Sequence, residues 1–311
     1  MALTLNTFGT GTAIGNREDL TDVIYRISPT ITPFLNLAAK TKASAMTHEW
    51  QVQDLAAAAS NAVAEGADAT TKTVTPTVRL QSRTQISSKS VSVSGTQQSV
   101  MSAGRGKDEL AFQMGLASLE LKRDMEYGLL QQGVGTSSPR AVKGLRTWIT
   151  DNKDTVAGYV APVYTTLDGT ANTDGTTPVA FTESRLKNVL QQIFVAGGQP
   201  DTILMGPAQK QTFSAFTGNS TRFDKGEDAK VFAAVDVYVS DFGELTAIPS
   251  RFQRSRDVFV LQSDKWAIAY LRPFQTFDLA TTGDAINKEI LCEYAIEARA
   301  PKSSGGVYDN I

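Results

Sequence analysis

An α+β fold is predicted for this 311-residue chain by three features of its residue pattern. Apolar side chains alternate with polar ones around residues 46–53 and again over 74–86, the two-residue period of strands. Between Leu110 and Gly128 the apolar spacing changes to threes and fours, which predicts a long helix. From Val258 onward the chain is dominated by strand patterns.

Residues 1–18 are rich in Gly, Thr and Asn and read as an extended arm with no core of its own. Over residues 19–37, Leu20, Val23, Ile24 and Ile27 predict a short helix stopped at Ser28-Pro29. Ile31, Pro33, Phe34, Leu35 and Leu37 then form an irregular apolar segment seeking a partner surface. His48, Trp50 and Val52 share one strand face, and Val74, Val78, Leu80 and Ile86 share the face of a return strand. Together they predict a long hairpin, with a bulge at Ser87-Ser88-Lys89-Ser90 where the apolar parity changes before Val91 and Val93. About 20 residues per arm would project ~60 Å. With so few apolar residues, the hairpin must lie either on a partner subunit or back on its own domain.

The long helix is expected over residues 102–132, capped by Ser102 and carrying Leu110, Met114, Ala117, Leu121 and Met125 on one stripe. Phe112, Leu116 and Leu119 fall off that stripe, so cover on a second side is expected. Residues 143–149 read as a strand, and residues 150–180 as a polar tract too long for an ordinary loop. A helix with Leu186, Val189, Leu190 and Ile193 follows, closed by Gly197-Gly198. Next come a strand over 202–205, a helix opening at Gly206-Pro207, a polar loop over 217–227 and a strand around Val235, Val237 and Val239. Residues 258–261 and 266–270 read as buried strands. Ile290, Cys292, Tyr294, Ile296 and Ala298 read as one face of a half-exposed strand.

The composition restricts the chemistry. Hydrophobic residues make up 41% and charged residues 20%, with a formal net charge of -2, as in ordinary globular proteins. One Cys (Cys292) excludes an internal disulfide, and one His (His48) would have to serve every histidine role an enzyme needs. Gly9, Gly11 and Gly15 miss the dinucleotide spacing, Gly106-Lys107 lacks the rest of a phosphate loop, and no GxSxG is present. His48 is expected to pack or hydrogen-bond on its strand, and Cys292 to sit in the core. Arg251, Arg254 and Arg256 form the densest basic cluster, and Asp241, Glu244 and Asp257 nearby favour salt bridges over phosphate contact. The sequence therefore offers no catalytic, cofactor-binding or metal-binding residues. The first residues lack a signal-peptide pattern and no stretch is long enough for a membrane span, so a cytosolic origin is expected and the Asn219-Ser220-Thr221 sequon reads as accidental.

Several stretches carry a resemblance: Asn16-Arg17-Glu18-Asp19-Leu20 with Ser28-Pro29-Thr30, Gly144-Leu145-Arg146-Thr147-Trp148-Ile149, and Pro200-Asp201-Thr202-Ile203-Leu204-Met205-Gly206-Pro207. Val237-Tyr238-Val239-Ser240-Asp241-Phe242-Gly243 and Gly305-Gly306-Val307-Tyr308-Asp309 complete the set. In this order, spread over nearly the whole chain, they resemble the major capsid proteins of tailed double-stranded DNA bacteriophages, of the Hong Kong 97-like fold.

That resemblance implies an N-terminal arm (1–44), an extended β-hairpin loop (45–95), a peripheral domain with a spine helix (96–180), an α/β axial domain (181–250) and a returning peripheral segment (251–311). It implies a non-enzymatic subunit that self-assembles into hexamers and pentamers of an icosahedral shell. The shell would enclose the genome without sequence-specific binding, in a virion assembled in the host bacterial cytoplasm. Implied partners are a portal protein, a separate scaffolding protein and a decoration protein, with no membrane and no cofactor. Some relatives join a loop Lys to a neighbour's Asn beside a Glu; Lys72, Asn287, Glu289 and Glu293 are present, and a non-covalent shell is expected. The alternatives are a cellular cargo-storing shell of the same fold and an α/β enzyme.

Overall fold

The computed structural model describes residues 31–69, 71, 73–100, 108–216, 237–281 and 283–311. The arm and helix expected within residues 1–30, the Ser102 cap, the 217–227 loop, Val235 and Lys72 lie outside the described residues.

The first core forms around a helix and a four-stranded sheet. Helix α1 (Pro33–Leu37) turns the segment expected to be irregular into one helical turn, with Phe34 fully buried. Strand β1 (Ala39–Lys42) follows, then β2 (Thr47–Val52), β3 (Val78–Arg83), β4 (Gln85–Ser94) and the short α2 (Gly95–Ser99). Helix α3 (Glu109–Gln131) is the long helix, of 23 residues. Its N-cap is Asp108, whose carboxylate accepts from the Ala111 amide at 3.0 Å, so the described helix begins at Glu109 rather than near Ser102. Leu110, Ala117, Leu121 and Met125 are buried along the expected stripe, and Leu129 and Leu130 extend it. Phe112, Leu116 and Leu119 are half-buried. Glu126 on this helix accepts from the amides of Phe34 (2.8 Å) and Leu35 (2.9 Å), which caps α1.

Past α3 lie β5 (Thr136–Ser137), β6 (Arg140–Ala141), α4 (Leu145–Trp148) and β7 (Asn152–Asp154). Helix α4 replaces the strand expected over 143–149. That run is buried throughout, so its pattern carries no period that separates a helical turn from a strand. Gly144 decides the geometry, because a Cβ there would lie 1.6 Å from the Gln132 carbonyl oxygen.

A second core contains α5 (Glu183–Val195), β8 (Thr202–Met205), α6 (Pro207–Ser214), β9 (Val237–Ser240), β10 (Gly243–Pro249) and β11 (Val258–Leu261). Leu186, Val189, Leu190 and Ile193 bury the inner face of α5, and Gly197 closes it with φ +88°. The chain then returns through β12 (Trp266–Asp278), β13 (Ala285–Ala298) and β14 (Gly305–Val307).

The four-stranded sheet has order β1-β12-β13-β4 and the six-stranded sheet β7-β14-β11-β8-β10-β9. The second sheet therefore takes β7, β11 and β14 from outside residues 181–250, and one sheet unites the middle of the chain with its end. β13 is buried on both faces over 292–298, not half-exposed. Glu293 and Glu297 on its second face are buried with ionic partners: Arg140 and Arg272 for Glu293, Arg299 for Glu297.

The expected hairpin divides in two. Only β2 and β3 pair with each other, from Thr47↔Arg83 to Val52↔Val78, while β4 pairs along β13 from Gln85↔Tyr294 to Ala285↔Ser94. The parity change falls at Thr84, not at Ser87-Ser90, which run in regular register with Cys292–Glu289. Leu80, Ser82 and Thr84 point inward, then Val93 does, with Ser87, Lys89 and Val91 half-buried on the same face. One unpaired residue is enough to swap the faces. Thr84 is held there by its amide to the Met46 carbonyl (2.9 Å) and its hydroxyl to Glu293 (2.8 Å).

Helix α3 packs on β4 and β13, and Ala117 lies on its buried stripe. Ala117→Pro removes an interior helix donor and clashes with the preceding turn, at a cost of about 3 kcal/mol or more. The expected outcome is insoluble or aberrantly assembled protein, scored by sedimentation. Native-sized particles at normal yield would show that this helix does not carry the core.

Candidate functional site

The hairpin is rooted in the body of the subunit by aromatic and polar contacts. Trp50 on β2 lies 5.4 Å, ring to ring, from the fully buried Trp148 of α4. Its indole N–H donates to the Ala298 carbonyl at 2.9 Å. His48, two residues earlier on the same face, stacks on Trp50 at 5.5 Å and bonds the Glu297 carboxylate through Nε2 at 3.0 Å. Thr41 and Arg299 bond the same carboxylate. The His48 hydrogen bond, helped by those two, holds the Glu297 carboxyl down at about 2.

The other arm is tied by cations. Arg83 on β3 forms a two-pronged bond to Asp168, at 2.8 and 3.1 Å. Lys143 is fully buried, and its ammonium donates to three carbonyls: Gln81 of β3 (2.9 Å), Tyr164 (2.8 Å) and Thr166 (2.9 Å). It also sits 4.0 Å over the Trp148 ring. Burial pulls the Lys143 amine down to about 7, opposed by Asp168. The three carbonyls match the three ammonium protons, so the cage suits the charged form.

Beyond the root the chain is open. After Val52 and before Val78, every described residue is exposed, including Leu55 at 96%, Val63 at 70% and Val74 at 80%. Among the described residues its side chains make polar links: Asp54 pairs with Lys302, Gln53 Nε2 donates to the Thr75 carbonyl and Thr77 to Gln51. Exposed apolar side chains also occur on the second sheet and its helix, at Phe194, Val195, Val237 and Val239.

The residues singled out in the sequence have structural roles. Cys292 is buried beside Met125, with its Sγ 3.4 Å from the Met sulfur, and burial pushes its thiol up to about 12. Arg254 and Arg256 do form salt bridges, but their main partners are Asp174 and Asp309 rather than Asp241 and Glu244. Asp257 faces Arg146 (3.4 Å) and Arg254 (3.8 Å), so three cations and three carboxylates meet where α4, the 155–180 tract and the chain end converge. Arg251 is exposed and apart from them. Asn287 bonds the Ala280 carbonyl, and Glu293 is occupied by Arg140 and Arg272. No helix among the described residues is long and apolar enough to cross a membrane.

Lys143, Trp148 and Asp168 were missed by sequence reasoning, since a Lys between Val142 and Gly144 gives no sign of three distant carbonyls.

The depressed Glu297 carboxyl makes a pH prediction. Its stabilising contribution is complete above about 4.5, its ordinary value, and fades as pH falls toward 2. Glu297→Gln is therefore expected to lower stability at pH 7 by about 1–3 kcal/mol, the range for a buried charged hydrogen bond. Its denaturant midpoint should approach that of the wild type between pH 4.5 and 2. A gap that stays constant over that range would contradict the assignment.

Comparison with known proteins accounts for this arrangement. The family model described as SU10 major capsid protein matches residues 4–310. The major capsid protein of Escherichia phage Phieco32 is 25% identical over 336 residues, covering 94% of this chain and 94% of that protein. The capsid asymmetric unit of Cyanophage A-1(L) superposes with a TM-score of 0.69 at 14% identity, over 97% of this chain and 98% of that one. The capsid of a native GTA particle superposes with a TM-score of 0.67 at 9% identity, over 97% and 98%. These structural likenesses show an α+β, Hong Kong 97-like fold. With the family model spanning almost every residue, the chain belongs to the SU10 major capsid protein family and is a structural subunit of a phage capsid.

Proposed function

We propose that this subunit builds hexamers and pentamers of an icosahedral shell around double-stranded DNA, and that its rooted hairpin reaches over a neighbouring subunit. The observation that carries the reading is the exposed stretch 53–77, set on a root fixed by Trp50, His48, Arg83 and Lys143. A segment left exposed by all the described residues of its own chain, and held at its base, is arranged to contact another chain.

The charge balance supports containment of DNA. A duplex carries one negative charge per ~1.7 Å, and a strongly basic lining would bind it tightly through counterion release. A chain of net charge -2 encloses DNA with little grip. Several modest contacts per subunit add up across a closed lattice.

The subunit is non-catalytic in this reading. Its single His is engaged by Glu297 and its single Cys is buried against Met125. A portal protein and a separate scaffolding protein are its partners in this reading, a decoration protein is an optional addition, and assembly takes place in the host bacterial cytoplasm. The family match favours a virus shell over a cellular cargo compartment.

Replacing residues 58–73 by an Asn-Gly turn tests the hairpin's role. The expected product is a soluble, cooperatively folded subunit that stops at capsomers or fragments. Each lost contact worth about 1.4 kcal/mol weakens association tenfold. Closed shells of normal stability would refute the inter-subunit role, and a subunit unable to fold would place the hairpin inside the core.

A further inference from the structure

The β2–β3 ladder stops at Val52 and Val78, although the chain between them continues for 25 residues, from 53 to 77. Composition explains the stop. Residues 55–65 read Leu-Ala-Ala-Ala-Ala-Ser-Asn-Ala-Val-Ala-Glu, six alanines in eleven residues. Alanine is depleted in strands and is the best helix former. The flanks also suit a helix. Asp54 stands at the N-cap position, and Gly66 already has φ +79°, the left-handed conformation that ends helices. The amide of Ala67 donates to the Ala64 carbonyl at 3.1 Å, so a turn is already closed at that end.

Wound as a helix, this stretch would place Leu55, Ala58, Ala59, Ala62 and Val63 on one side, with Ser60 and Asn61 opposite and Glu65 at the edge of the apolar side beside Ala58. In the isolated subunit it has no regular structure, and the largest apolar members of that face are uncovered. Both facts have one cause. Helices shorter than about 12–15 residues are marginal in water, and none of the described residues covers the apolar side.

We propose that residues 55–65 are a latent helix that forms when the hairpin tip docks on a second copy of this chain. The proposal rests on the inter-subunit reading of the hairpin and specifies what the contact does. A copy of the same chain fits as the partner because the tip exposes Glu65 and Asp68, while each subunit also exposes Lys40 and Lys42 on β1 and Lys122 on α3. Asp54, paired with Lys302, keeps the first residue of the helix at the body of its own subunit. Winding shortens the stretch from about 36 Å to about 16 Å, so docking also draws the far end of the tip inward. Assembly would then couple burial of Leu55 and Val63 to an ordering step that free subunits do not complete.

Two proline variants of the full-length chain test the helix by position. Ala56→Pro lies in the first helical turn, where proline is tolerated, and Ala62→Pro lies in the interior, where it is not. In the open, exposed tip of the free subunit neither amide donates to any described residue. Ala56→Pro is expected to assemble like the wild type. Ala62→Pro is expected to give a normally folded subunit that needs about 100-fold higher concentration to form shells. Amides of residues 59–65 should exchange slowly in wild-type shells and rapidly in free subunits. Wild-type assembly by Ala62→Pro, equal impairment by both variants, or fast exchange in shells would overturn the latent helix. If the Asn-Gly replacement blocks shells while Ala62→Pro does not, the helix fails and the inter-subunit hairpin stands; if the replacement closes normal shells, the hairpin reading itself fails.

Discussion

Trp50 stacks against Trp148 and donates its indole N–H to the Ala298 carbonyl, and through this contact a hairpin with no core of its own is joined to the body. The six-pair ladder of β2 and β3 is too short to stand alone in water. Its order comes from what lies beneath: β13 supplies Ala298 and Glu297, α4 supplies Trp148, and the 155–180 tract supplies Asp168 and the carbonyls around Lys143. The long polar tract thus has a structural purpose, since it forms one wall of the lysine cage. Much of the remaining architecture serves to present those groups. Helix α3 and β4 brace β13 from the opposite face and edge, and Gly144 allows α4 to start against the end of α3.

The second constraint is the sheet that closes on the chain end. β14 lies between β7 and β11, so one interior strand of the six-stranded sheet, next to its β7 edge, comes from the end of the chain. Arg185 of α5 bonds Asp154, the Asn310 side chain and the Tyr308 carbonyl, and the Arg256–Asp309 pair fixes the adjoining turn. Burial pushes the Asp257 carboxyl up to about 7 against the pull of Arg146, and the neighbouring Asp174 and Asp309 add to the rise. The ion pairs of that cluster tie α4 and the 155–180 tract to the end of the chain.

Local patterns in the sequence predict the elements whose signal is local. The α3 stripe, the α5 face with its closing glycines, and the buried strands at 202–205 and 258–261 are where periodicity puts them. Errors occur where tertiary contacts decide. The 143–149 run is buried throughout, its Lys, Arg and Thr included, and takes its helical turn from close approach to Gln132. β4 carries a strand pattern like that of β3, and only its pairing with β13 shows that it belongs to another sheet. The alternation of Ile290, Cys292, Tyr294 and Ile296 with positions that include Glu293 and Glu297 reads as half-exposed, because the distant partners Arg140 and Arg272 of Glu293 and His48 of Glu297 are invisible in one dimension. Family resemblance pointed to the shell role; the root contacts emerged only in three dimensions.

The central claim is that the root stays attached to its own subunit while the tip belongs to a neighbour. An electron cryomicroscopy map of assembled particles, at a resolution that shows side chains, tests it most directly. The account predicts Trp50 still against Trp148, Lys143 still within its three carbonyls, and residues 53–77 seated on an adjacent subunit. A map in which that stretch folds back on its own subunit, or in which the Trp50 and Lys143 contacts are broken, would contradict it.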